Sequence, residues 1–189
     1  MRVIATAIPD LLVLEPVRQP DARGFFMETW RAEWQARFGF ARPFVQDNHA
    51  RSDLRGVLRG LHFQAPPKDQ GKLIWASRGA VYDVAVDLRR GSPSFGRWHS
   101  LILSGENSLR FYIPPGFAHG YMALETGSEV QYKVDAYYAP EAEGGLRWDD
   151  PGLGISWPAI PPLVSEKDAE WPLLQTLRSP FAYAPSPRR

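Results

Sequence analysis

The sequence predicts an all-β protein. Three observations carry that expectation: dense glycine and proline punctuation, a high aromatic content, and short apolar segments that alternate with a period of two. The 189 residues include 16 glycines and 18 prolines, well above their usual share, with 7 tryptophans, 7 tyrosines and 10 phenylalanines. Glycine and proline stop elements and shape tight turns, while aromatic side chains fit the pleated face of a sheet. A disordered chain would not carry 13% aromatic residues.

Taken in order, the first strand candidate is Leu11-Leu12-Val13-Leu14, an apolar run ending near Pro16. A helix is expected next, because Trp30, Trp34 and Phe38 recur at i, i+4 and i+8. Thr29 is its expected N-cap, and Gly39 stands where a C-terminal cap belongs. In Arg59-Gly60-Leu61-His62-Phe63-Gln64 a strand sends Leu61 and Phe63 to one face, and Gly60, His62 and Gln64 to the other. Between Gly79 and Gly91, Tyr82, Val84, Val86 and Leu88 alternate with Val81, Asp83, Ala85 and Asp87. Leu101-Ile102-Leu103 is a further short strand. Leu109, Phe111 and Ile113 alternate with Arg110 and Tyr112 until Pro114-Pro115-Gly116 stops them. Val130, Tyr132 and Val134 alternate with Glu129, Gln131 and Lys133. Ser165-Glu166-Lys167-Asp168 reads as a capping box written with Asp, so a second helical turn is expected there. Residues 1–178 are expected to form one domain, with 179–189 a Pro-rich tail, docked or loose.

Composition excludes several functions. With 22 basic and 21 acidic residues the formal charge is +1, which gives no global attraction for nucleic acid or anionic membrane. No apolar run exceeds four residues, so neither a membrane span nor a secretory core is expected. Without cysteine there is no disulfide, thiolate metal site or thiol nucleophile. The default expectation is a cytoplasmic protein.

Four histidines offer chemistry near neutral pH: His49, His62, His99 and His119. His62 either lines a cavity, opposite the bulky Leu61 and Phe63, or is a hydrogen-bonded structural residue. His119 lies in Pro114-Pro115-Gly116-Phe117-Ala118-His119-Gly120, which resembles the second half of the cupin signature. The first half of that signature in metal cupins is His-x-His followed by Glu. Here it reads His62-Phe63-Gln64, which leaves too few ligands for a metal, so none is expected. Arg23, Arg51, Arg55, Arg59 and Lys72 would suit a diphosphate through charge-assisted hydrogen bonds, or are solvated surface charges. No glycine-rich phosphate loop is present. Tyr132 shares a face with Val130 and Val134 and is expected to point inward, where a phenol needs a partner or a ligand.

The segments together resemble one family, the dTDP-4-dehydrorhamnose 3,5-epimerases of the cupin superfamily. They begin with Asp21-x-Arg23-Gly24-Phe25-Phe26-x-Glu28, Phe44-Val45-Gln46-Asp47-Asn48-His49 and Gly56-Val57-Leu58-Arg59-Gly60-Leu61-His62. Gln70-Gly71-Lys72-Leu73, Asp83-Val84-Ala85-Val86-Asp87, Ser92-Pro93-x-Phe95-Gly96 and Ile113-Pro114-x-Gly116-Phe117-Ala118-His119-Gly120 follow. Tyr132-Lys133, Tyr137-Tyr138, Trp148-Asp149-Asp150-Pro151 and Leu163-x-Ser165-Glu166-Lys167-Asp168 complete the series in family order. Each is weak alone; their order makes the resemblance specific.

The resemblance implies a cupin-type jelly-roll β-barrel with a few short peripheral helices. It also implies a homodimer that exchanges N-terminal strands, a dTDP-keto sugar substrate, and no cofactor. It implies His62 as general base held by Asp168, Tyr132 as acid, and Lys72 facing the enolate. From the residues alone, Asp83 fills the orienting role equally well. Arg23 and Arg59 would grip the diphosphate, and Glu28 with Gln46, Asp47 and Asn48 would contact the nucleotide. Tyr138 would stack on thymine, while Phe26, His119, Glu143 and Lys167 match further ligand-contacting positions. Trp75 departs from the pattern, standing where Arg or another polar residue is expected, and is read as a change at the pocket rim; Pro115 replaces a commonly charged residue. The rivals are a single-centre epimerase, a metal-dependent cupin and a sugar-nucleotide binding module.

Overall fold

The computed structural model of the chain describes residues 1–184. Its strands are β1 (Arg2–Ile4), β2 (Leu12–Glu15), β3 (Gln19–Asp21), β4 (Gly24–Phe26), β5 (Gln46–Ser52), β6 (Leu58–Gln64) and β7 (Lys72–Arg78). They continue with β8 (Ala80–Asp87), β9 (Trp98–Ser104), β10 (Arg110–Ile113), β11 (Phe117–Ala123), β12 (Ser128–Val134) and β13 (Glu143–Gly145). The α-helices are short, α1 (Trp34–Phe38) and α2 (Glu166–Ala169). The expected all-β class is what the chain adopts.

Six strands form one sheet in the order β1-β2-β10-β7-β12-β5, and five form a second in the order β13-β6-β11-β8-β9. Strands β3 and β4 make a separate hairpin. The chain steps from one sheet to the other at β6–β7, β7–β8, β9–β10, β10–β11 and β11–β12, so sequence neighbours face each other across the core. Alternation then sorts the side chains. Val13, Ile74, Ala76, Phe111, Ile113 and Val130 of the larger sheet meet Val81, Ala85, Leu103, Phe117 and Tyr121 of the smaller one. The other face of β8, with Val84 and Val86, packs beneath Leu61, Phe63, Ala118, Leu146 and Leu153. Each Val, Leu, Ile or Phe side chain among them, fully buried, contributes roughly 1.5–3 kcal/mol.

The helix near residue 34 is shorter than its aromatic spacing predicts. It spans one turn, Glu33 occupies the N-cap without a side-chain hydrogen bond, and Thr29 lies outside it. Gly39 closes it as expected, in the left-handed region at φ 63°. Trp30 joins the stripe from an irregular segment, its ring centroid 6.0 Å from Trp34 and 5.0 Å from Phe44. A single turn has no helical stability of its own, so packing of Trp34 and Phe38 on Leu14, Leu73 and Tyr112 holds it.

Two further placements bear on the site. Trp75 lies on the outer face of the larger sheet, almost fully buried, with the Arg110 guanidinium 4.4 Å above its ring. It is therefore not at the pocket rim, a correction that follows from strand parity, since Lys72 and Trp75 are three residues apart on β7. At the C-terminal end Ser179 and Phe181 are buried, Phe181 stacking edge-on against Phe63 with 5.3 Å between centroids. Residues 185–189 of the expected tail lie outside the described residues.

Candidate active site

A cavity of about 350 Å³ is lined by residues of both sheets. Lys72 of β7, Tyr132 of β12 and Ala50 of β5 come from the larger sheet; Arg59 and His62 of β6, and His119 and Tyr121 of β11, come from the smaller. Ser165, Lys167 and Asp168, around α2, complete the wall. The imidazole of His62 and the phenol of Tyr132 thus belong to opposing sheets.

A local irregularity explains why Arg59 and His62 both reach this cavity. Three residues apart on a regular strand, they would point to opposite faces. Opposite β11, however, His119 pairs with His62 while Tyr121 pairs with Arg59, so β6 carries one extra residue there. Gly60 sits in that bulge at φ 127°, and a Cβ on it would come within 2.5 Å of the Gly120 Cα. Only glycine allows this approach.

Asp168 fixes His62. Its Oδ1 lies 2.6 Å from His62 Nε2, and its Oδ2 accepts from the Gly60 backbone N–H at 3.1 Å. Ser165 caps α2 as expected, accepting from the Asp168 N–H at 3.2 Å. The Asp168 carboxylate, which in a full capping box would fold back on the helix start, is diverted to the imidazole. Burial pushes its pKa up, but the hydrogen bonds from His62 and Gly60 outweigh that, and the carboxyl lies below its ordinary value. Asp83, the alternative partner, instead faces the other imidazole: both its oxygens lie 3.0 Å from His119 Nε2. Burial raises the pKa of Asp83. Two His–carboxylate pairs therefore stand side by side, since His62 and His119 are direct partners across β6 and β11.

Burial acts on the remaining groups in the direction that favours neutral forms. It lowers the Lys72 ammonium to about 8, with Asp135 pulling weakly the other way. Lys72 is half-buried and lines the cavity. The Tyr132 phenol is raised, and that of Tyr121 is pushed up to about 12. Both phenols therefore carry a proton at neutral pH.

At the cavity edge Lys167 Nζ lies 2.6 Å from Glu143 Oε2, which also accepts from Tyr138 Oη at 2.9 Å. The Tyr138 backbone N–H donates to Gln46 Oε1 at 3.3 Å, and Gln46 donates to Asn48 at 2.8 Å. Gln46 and Asn48 share the β5 face of Ala50, whereas Asp47 turns outward and pairs with Lys133 at 2.7 Å. Arg23, Phe26 and Glu28 are not brought to this cavity. Arg23 is exposed on the β3–β4 hairpin, paired with Asp21, and Phe26 and Glu28 line a separate depression beside Trp34 and Arg37. Tyr121, absent from the expected set, was detectable in principle, because it sits two residues from His119 and so shares its strand face. Among the described residues no group of three His, Asp or Glu side chains is arranged to hold a metal ion.

Comparison with known proteins places this geometry. A family profile described as dTDP-4-dehydrorhamnose 3,5-epimerase matches residues 5–176. The dTDP-4-dehydrorhamnose 3,5-epimerase of Salmonella typhimurium is 48% identical over 176 residues, covering 92% of this chain and 96% of that enzyme. The RmlC epimerase of Legionella pneumophila, solved with dTDP-4-keto-L-rhamnose, superposes with a TM-score of 0.93 at 44% identity, covering 97% of this chain and 99% of that one. ChmJ, a 3'-monoepimerase of Streptomyces bikiniensis solved with dTDP-quinovose, is more distant, with a TM-score of 0.85 at 37% identity over 91% of this chain and 87% of its own. With the profile spanning nearly the whole chain and these identities well above chance, the chain belongs to the dTDP-4-dehydrorhamnose 3,5-epimerase family.

Proposed function

We propose that this chain inverts C3 and C5 of dTDP-4-dehydro-6-deoxy-D-glucose, giving dTDP-4-dehydro-beta-L-rhamnose, by proton transfer at the carbons flanking the ketone. The observation that carries the mechanism is the placement of His62 and Tyr132 on facing sheets of one cavity that also holds Lys72. Inversion beside a ketone needs a base on one face of the sugar and an acid on the other. His62, with Asp168 fixing its ring, removes the α-proton. The C–H electrons pass into the enolate, whose oxygen faces the Lys72 ammonium. Tyr132, protonated at neutral pH, returns a proton to the carbon from the opposite side. A positioned proton-transfer group typically contributes about 10²–10⁴-fold, and a fixed cation at the enolate oxygen adds electrostatic stabilisation. The carboxylate orients the imidazole rather than exchanging protons.

Arg59 grips the diphosphate; Tyr138 stacks on thymine; Gln46, Asn48, Glu143, Lys167 and His119 hold the rest of the ligand. Arg23, Phe26 and Glu28, remote from this chain's own cavity, serve the cavity of a second protomer in a strand-exchanged homodimer. The finer fold reading is a closed cupin-type jelly roll, supported by two antiparallel sheets between which the chain repeatedly crosses. The reaction needs no cofactor and runs in the cytoplasm. The test is incubation with the dTDP-keto sugar in heavy water, read by NMR. Deuterium at both C3 and C5 is expected; label at one carbon alone means a single-centre epimerase, and activity lost on chelation and restored by a metal overturns the metal-free reading.

A further inference from the structure

Beside the His62–Asp168 pair stands a tryptophan that the proton-transfer mechanism does not use. Asp168 comes from α2, a single turn of four residues with no helical stability of its own. Trp171, three residues further on, is half-buried, and its ring meets that of His62 edge-on with 6.3 Å between centroids. The indole rests on Gly145. A Cβ there would collide with Trp171 Cδ2 and Cε2 and lie 2.5 Å from Nε1. Gly145 is the direct partner of His62 across β13 and β6. The backbone around this contact is tied to the strand that carries the imidazole: Leu61 and Leu146 exchange N–H to carbonyl bonds of 3.2 and 2.9 Å. The Arg147 N–H donates to the Pro172 carbonyl at 3.0 Å, so the chain just past the indole is held to the same backbone. Lys167 of α2 places its ammonium 5.8 Å from the centre of the indole while pairing with Glu143 at 2.6 Å. Burial pushes the Asp168 carboxyl up, and after the bonds from His62 and Gly60 the Trp171 indole also helps to hold it below its ordinary value. The indole nitrogen is buried and completes no hydrogen bond among the described residues, so the ring acts here through its bulk.

We propose that Trp171 is a positioning residue for the His62–Asp168 pair: its indole, wedged on the bare backbone of Gly145, holds α2 at the spacing from β6 at which the carboxylate meets the imidazole. In catalytic terms the inference rests on the reading of His62 as the base. A one-turn helix joined to a strand 106 residues earlier by side-chain hydrogen bonds is free to tilt unless something solid sets the gap. The ring supplies that spacer. Because Gly145 has no side chain, the spacer seats directly on the strand that pairs with His62, and its thickness fixes where Asp168 stands. Removing the ring leaves α2 joined to β6 by hydrogen bonds alone, and a methyl on Gly145 pushes the ring, and α2 with it, away.

The experiment reads the pair directly, by NMR of histidine-labelled full-length protein, through the proton shared between His62 Nε2 and Asp168 Oδ1. A short bond to a carboxylate moves that signal far downfield, and its loss in His62→Ala assigns it. Exchange of the substrate α-proton with solvent is measured in parallel at saturating substrate. In Trp171→Ala the signal should move upfield or broaden, and exchange should fall by about tenfold or more, since a small misplacement of a reacting group is costly. Trp171→Phe keeps a ring on Gly145 and should recover most of both. Gly145→Ala should reproduce Trp171→Ala, because the three atoms nearest its new methyl all belong to the indole, and the double variant should be no worse than either single one. A signal unchanged in Trp171→Ala overturns the inference, even where thermal stability drops, because a merely structural ring alters melting and not the His62–Asp168 bond. Losses that multiply in the double variant overturn the wedge on Gly145. A signal that changes while exchange stays at full rate supports the positioning and overturns His62 as the base.

Discussion

In the proposed reaction His62 and Tyr132 divide the work between two proton transfers, and the division can be measured. His62→Ala removes the only group proposed to take the α-proton, so solvent exchange into substrate should drop by at least about 10²-fold. Binding of dTDP, measured by calorimetry, should survive, because the residues proposed to hold the diphosphate and the base are others in the cavity and at its edge. Tyr132→Phe keeps the ring and loses the acid. Net epimerisation should then suffer more than the initial wash-out of the α-proton; equal losses in both mean that the acid is another group, with Tyr121 the next phenol in the cavity. The sequence named these groups better than it oriented them. Alternation on β12 was enough to turn Tyr132 inward, but the partner of His62 lies 106 residues away and no local pattern separated Asp168 from Asp83. Family resemblance favoured Asp168, and its Oδ1 lies 2.6 Å from the His62 ring nitrogen.

Strand β6 shows where local patterning stops being informative. Its apolar and polar faces were legible, because Leu61 and Phe63 must reach one cluster and His62 the other side. Its bulge was not, since that depends on register with β11, some sixty residues later. The bulge makes a sharp prediction. Gly60→Ala must place a methyl against the Gly120 backbone at a φ that side chains rarely adopt, so we expect a loss of about 2 kcal/mol or more, read as a lowered Tm. Activity should fall beyond the loss of folded protein, because Arg59 and His62 are aimed by the same irregularity. Helix α1 shows the opposite error. Aromatic residues at helical spacing indicated a helix running from the Thr29 cap to Gly39, yet a ring stripe can also be assembled from one turn plus a loop, as Trp30 does. Helix α2 was readable from Ser165-Glu166-Lys167-Asp168, since a cap is a local interaction.

For the molecule as a whole, the all-β class was foreseeable from composition and alternation and the jelly-roll arrangement only from the family resemblance, whereas the placement of the β3–β4 hairpin followed from neither composition nor alternation. All six of its strand residues are exposed, and Phe25 and Phe26 present 49% and 69% of their surface to solvent. Such an apolar tip needs a cover. In the homodimer proposed above that cover is the second protomer, and sedimentation should give twice the chain mass, with Phe25→Ser and Phe26→Ser shifting it toward single chains. The hairpin has one more consequence. If three ligand-gripping side chains are always on loan from a neighbour, turnover per milligram is not constant: assays at progressively lower enzyme concentration should show it collapsing near the dissociation constant of the pair, with saturating dTDP ligand holding it up.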